Sequence, residues 1–123
     1  MRHPAATSCF GSIAFIRKIV RMYIMDNRTL KDLLYEQVAR VGKALASPKR
    51  LEMLEMLAQG EKSVEAVAEA VGVDIKLASA HLKALKEARL VQSRRDGKRM
   101  LYRLSGQDVA QLGVTLRQVA EEH

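Results

Sequence analysis

A single cysteine, Cys9, cannot form an internal disulfide, so this chain of 123 residues is not a secreted, disulfide-stapled scaffold, and a reducing cytoplasm is its expected setting. Long apolar runs are lacking as well. The nearest, Ile13-Ala14-Phe15-Ile16, is interrupted at once by Arg17-Lys18 with no small-residue cleavage site after it, so neither a membrane span nor a signal peptide is expected. No nucleophile, base and orienter stand together, and the one phosphate-loop candidate, around Gly97, is without the glycine spacing such loops need. An enzyme is therefore not expected, and neither is a cofactor. Internal repeats and low-complexity segments are absent too. The length suits one domain with its own core.

Negative charge is scarce in two places. Residues 1–25 carry Arg2, Arg17, Lys18 and Arg21 and no acid. Residues 74–104 hold nine Lys and Arg against three acids, a net +6, within a chain of formal charge +7. The rest is mildly acidic. Positive charge gathered in one segment favours a polyanion partner over a general solubility role.

The helical signals are clear. Thr29-Leu30-Lys31-Asp32 has the capping-box form, and Leu30, Leu34, Val38, Val41 and Leu45 continue an apolar stripe to about Ala46. Ser47-Pro48 caps a second helix with Leu51, Leu54, Met56 and Leu57, stopped at Gly60. Methionines such as Met53 and Met56 sit at core spacing and need no metal. Ser63 caps a third helix, carrying Val64, Val67, Ala68 and Val71. Ser105-Gly106-Gln107-Asp108 reads as another capping box ahead of Val109, Leu112, Leu116 and Val119. Residues 1–25 precede the first convincing cap. They are expected to be an extension, weakly ordered or a short helix, leaving residues 26–123 as the domain.

Residues 63–104 carry the chemistry. Gly72 closes the third helix and Asp74 opens the fourth, over about residues 75–88, as a C-cap and an N-cap require. Ile75, Ala78, Leu82 and Leu85 form its expected buried stripe, leaving Lys76, Ser79, Ala80 and Lys83 outward. Small and basic side chains on an outward face suit a major groove. Leu90-Val91 then begins a strand, Asp96-Gly97 signals a hairpin, and residues 99–104 return as a second strand. Helix, turn, helix and basic hairpin make a winged helix-turn-helix, mainly α with a small β wing. Arg94, Arg95, Lys98 and Arg99 around the tip suit phosphate or minor-groove contact. His81 suits either a base or phosphate contact or a packing role. Ile75 and Leu77 either touch thymine methyl groups or brace the turn.

The stripe of the first helix (Leu30, Leu34, Val38) and the seam of the last (Val109, Leu112, Leu116, Val119) exceed what one small winged helix needs for itself. They are the expected interface of a two-fold homodimer, which would set two reading helices roughly 34 Å apart on an operator duplex.

With these residues assembled, the chain resembles the ArsR/SmtB family of bacterial winged-helix repressors from about Leu30 onward. The matching pieces are Ala44-Leu45-Ala46-Ser47-Pro48-Lys49-Arg50-Leu51, Ser79-Ala80-His81-Leu82-Lys83-Ala84-Leu85, Ala88-Arg89-Leu90-Val91, Arg94-Arg95-Asp96-Gly97-Lys98-Arg99 and Tyr102-Arg103-Leu104. The resemblance implies a homodimeric repressor that leaves its operator when an inducer binds, with Ser79, His81 and the wing tip reading DNA. It is nearest to the subgroup in which this module precedes a rhodanese-like sulfurtransferase domain. The sequence runs to His123 without that domain, so no sulfurtransferase activity is expected.

The departures bear on mechanism. Where the family places a thiolate metal site, Val64-Glu65-Ala66-Val67 has no cysteine. Where a second family site uses Asp-x-His and a later histidine, this chain has Asp108-Val109-Ala110, then Glu121 and a terminal His123. Zinc needs three or four converging ligands, so no metal site is expected. A persulfide switch between paired cysteines is excluded within one chain. Two alternatives remain open. Cys9 with His3 could make a metalloid- or redox-responsive repressor, although a free thiol in a tail is the plainer reading. A degenerate winged helix serving as a protein-interaction module would instead show an apolar, weakly charged reading face, which the +6 of residues 74–104 opposes.

Overall fold

The computed structural model describes residues 11–24 and 27–122. Cys9, His3 and His123, with the alternatives resting on them, lie outside the described residues. The chain divides into two compact units, one ending at Val38 and one beginning at Ala39.

The first unit contains helix α1 (Gly11–Ile24) and the opening of α2 (Asn27–Ala44). Ile13, Phe15, Ile16 and Val20 of α1 are exposed, as are Leu33, Leu34, Tyr35 and Val38 of α2. Helix α2 begins two residues before the expected cap at Thr29. Arg28 pairs with Asp32 one turn on, at 3.7 Å, so the acid of the supposed capping box braces an earlier helical turn. The helix also ends sooner than expected, at Ala44. A tighter turn follows, in which the Leu45 and Ala46 amides donate to the Gly42 and Lys43 carbonyls.

The second unit continues with α3 (Pro48–Leu57), β1 (Lys62–Ser63), α4 (Val64–Val71), α5 (Ile75–Glu87), β2 (Val91–Asp96), β3 (Arg99–Leu104) and α6 (Gln107–Glu121). Its antiparallel sheet has the order β1-β3-β2. Strand β1 has no counterpart in the sequence reading, because two residues carry no periodicity. Its pairing of Ser63 with Leu101 puts the N-cap of α4 on the sheet edge. Met53, Val67, Leu82, Leu85 and Val91 are fully buried where α3, α4, α5 and the sheet converge. The caps at Ser47, Ser63 and Asp74 form as expected, each side chain accepting the amide three residues on.

Four local expectations are corrected. Ile75 is 52 % exposed and does not join the stripe of Ala78, Leu82 and Leu85, since the first residue of α5 overhangs the core. Gly60 lies past the end of α3, whose C-cap is Ala58, and supplies instead the φ of 139° needed in the following turn. Ser105 does not cap α6. Its hydroxyl donates to the Arg89 carbonyl at 2.7 Å, and Gly106 occupies the cap position with no side-chain bond. In the hairpin Asp96 still pairs with Arg99, so the two central residues are Gly97 and Lys98 rather than Asp96-Gly97. Gly97 at φ 65° satisfies the first central position of a type II′ turn.

Candidate nucleic-acid interface

Helix α5 is set by both of its ends. Gly72 adopts the left-handed conformation, φ 75°, and Asp74 accepts the Leu77 amide at 2.7 Å. The three residues between α4 and α5 therefore turn the chain sharply. Ala78, Leu82 and Leu85, all fully buried, fix the rotation of α5 about its axis. Lys76, Ser79, Ala80 and Lys83, spaced three and four apart, then share one exposed face, as the sequence implied. Exposed Ile75 and Leu77 flank them on the first turn. At the other end Arg89 stands in the left-handed region, φ 66°, alone among the described non-glycine residues. The Leu90 amide reaches back to the Leu85 carbonyl at 3.0 Å to close the motif.

Half-buried His81 sits beside the core edge of α5, where its Nδ1 accepts a hydrogen bond from Arg50 Nε at 3.1 Å. Arg50 was not singled out by sequence reasoning. Its partner is 31 residues away and no local pattern signals it.

In the wing, Arg95, Lys98 and Arg99 are exposed and form no ion pair among the described residues. Arg94 differs. Its guanidinium donates to both carboxylate oxygens of Glu61, at 2.9 and 2.8 Å. The register puts Glu61 just before β1 and Arg94 on β2, with β3 between, so the pair straps across the central strand. The Arg94 hydrogen bond, with charge from Arg94 and Arg103, holds the Glu61 carboxyl below the usual carboxylate range. It stays ionised at neutral pH and would give up Arg94 only in acid. Four wing cations were expected to be available to a polyanion; at one of them a carboxylate already occupies the guanidinium.

Of the expected interface residues, Leu34, Val38, Leu116 and Val119 are exposed, while Leu30, Leu112 and Val109 are partly covered. Helix α6 has no buried residue at all. It borders a groove of about 530 Å³ against α3, lined by Leu45, Leu51, Leu54, Val109, Leu112 and Leu116 among others. Arg117 and Glu55, which also line it, form an ion pair. Among the described residues no three His, Cys, Asp or Glu converge on a point that could hold a metal, and no helix is long and apolar enough to cross a membrane.

Comparison with known proteins agrees with this geometry. Residues 47–93 match the model of the bacterial regulatory proteins of the arsR family. The transcriptional regulator Rv0324 of Mycobacterium tuberculosis is 54% identical over 93 residues, covering 76% of this chain, which itself spans only 41% of that protein's length. The regulator Rv0081 of the same organism is 37% identical over 87 residues, 70% of this chain and 76% of its own. The solution structure of the homodimeric winged helix-turn-helix DNA-binding domain of Mb0332 from Mycobacterium bovis superposes with a TM-score of 0.71 at 54% identity. The match covers 76% of this chain and 86% of that one. The fold is the winged helix-turn-helix.

Proposed function

Because the chain belongs to the ArsR family of bacterial regulatory proteins, we propose that it is a cytoplasmic, homodimeric transcriptional repressor that binds an operator duplex and releases it when an inducer binds. The observation that carries this reading is the single exposed face of Lys76, Ser79, Ala80 and Lys83, together with an exposed, cationic wing tip. A helix presenting small and basic side chains fits the major groove, where base edges are distinguishable, and Arg95, Lys98 and Arg99 meet the flanking phosphates or minor groove. Exposed Leu34, Val38, Leu116 and Val119, with partly covered Leu30, Val109 and Leu112, support assembly through α2 and α6. Water contact with so much aliphatic surface is relieved when a second copy covers it.

Selection of duplexes from a random library, followed by footprinting, tests the proposal. The expected product is an inverted repeat with half-sites about one helical turn apart, roughly 34 Å. Failure to prefer any selected duplex over a scrambled one would overturn it.

A further inference from the structure

We propose that Arg50 is a positioning residue that locks the reading helix to the end of α2 through His81. Three bonds converge on this one residue. Its backbone amide donates to the Ser47 hydroxyl at 3.3 Å, fixing it in the first turn of α3. Its Nη1 donates to the carbonyl of Ala44, the last residue of α2, at 3.3 Å. Its Nε donates to His81 Nδ1 on α5 at 3.1 Å. A carbonyl at a helix C-terminus has no partner within its own helix, so the guanidinium supplies one. The planar, forked guanidinium presents the two donors at fixed angles, so a shift of the α2 terminus is passed to the imidazole of the reading helix.

The bond to His81 also selects a chemical state. An acceptor at Nδ1 means that the proton of the neutral ring is on Nε2. His81 is thus held by the protein on one nitrogen, on the edge of the helix rather than on the face of Lys76, Ser79, Ala80 and Lys83. Its contribution to DNA binding is made through the orientation of α5. Neighbouring Lys49 makes a parallel tie, donating to the Val71 carbonyl at the end of α4 at 2.7 Å. The start of α3 therefore holds both helices of the helix-turn-helix from one side.

This proposal rests on the DNA-binding reading, and its test separates the two. Asparagine in place of His81 keeps an acceptor oxygen as many bonds from Cβ as Nδ1, whereas glutamine puts its amide near the place of Nε2. With the 123-residue chain and a selected duplex, His81→Asn should bind almost as wild type, and His81→Gln should lose affinity by about tenfold, the size expected for one charge-assisted hydrogen bond. Tolerance of glutamine, or equal behaviour of the two variants, overturns the lock. Arg50→Lys, which keeps the charge and loses the fork, should weaken the selected duplex and leave scrambled DNA and the salt slope unchanged. A loss on both duplexes with a slope reduced by about 0.9 would make Arg50 a phosphate contact instead. In nitrogen-15-labelled free protein a scalar coupling across the Arg50 Nε–H···Nδ1 bond to His81 should be seen in wild type and lost in Arg50→Lys. Its absence from wild type overturns the lock even if no preferred duplex is found, which is the separate failure of the DNA-binding reading.

Discussion

Helices α5 and α6 are similar in length and both amphipathic, yet α5 buries Ala78, Leu82 and Leu85 completely and α6 buries nothing. One helix is finished by its own chain. The other keeps Leu116 and Val119 exposed beside an apolar groove. The difference shows how apolar residues at helical spacing can serve two purposes that the spacing alone does not separate. On α5 they fix rotation and so aim the opposite face. On α6 they leave an uncovered stripe, which in the proposed dimer would meet the second copy.

The largest effect should come from breaking the finished side. Leu82→Ala should lower stability by about 2 to 5 kcal/mol, read by denaturant unfolding, because a fully buried leucine leaves a cavity. The corresponding change on α6, Leu116→Glu, should leave secondary structure intact and yield monomers by light scattering, with operator affinity much reduced. Wild type that is already monomeric at micromolar concentration would remove α6 from the assembly and end the contrast.

Next in size are the outward residues that the buried stripe aims. Lys76→Ala and Ser79→Ala should each cost about 1 to 3 kcal/mol on a selected duplex and less on scrambled DNA, measured by fluorescence anisotropy. Equal losses on both would mean that this face meets only phosphates. At the far end of α5, Arg89→Gly should raise stability by about 1 kcal/mol in thermal unfolding, because glycine adopts φ 66° without the steric cost a side chain carries there.

The smallest effects sharpen the comparison within the wing. Neutralising Arg95, Lys98 or Arg99 should reduce the slope of log affinity against log salt by about 0.9 each, in proportion to the phosphates lost. Arg94→Ala should change it less, since Glu61 already occupies that guanidinium. Conversely, Glu61→Gln should free Arg94 and steepen the slope. A flat response to Glu61→Gln would mean that Arg94 faces away from the duplex.

Much of this was legible beforehand. Ser47-Pro48, Ser63 and Gly72-Val73-Asp74 announce helix ends through bonds that span three or four residues, and the hairpin appears where Gly97 permits a positive φ. Ser105 and Thr29 misled because a hydroxyl ahead of an acid fits several partners. For Ser105 the one chosen, the Arg89 carbonyl, is 16 residues away. Ile75 misled because periodicity ignores where a core ends.

The sequence by itself determined the order of helices, the turn between α4 and α5, the wing and the segregation of positive charge, since all depend on near neighbours or on composition. Only the tertiary structure decided that Arg94 is tied to Glu61, that His81 is held by Arg50, and that α6 is left uncovered by its own unit. Those outcomes depend on which residues distant in the chain come within hydrogen-bonding or van der Waals reach. That proximity is set by the packing of the core around Met53, Val67, Leu82 and Leu85, and no local pattern encodes it.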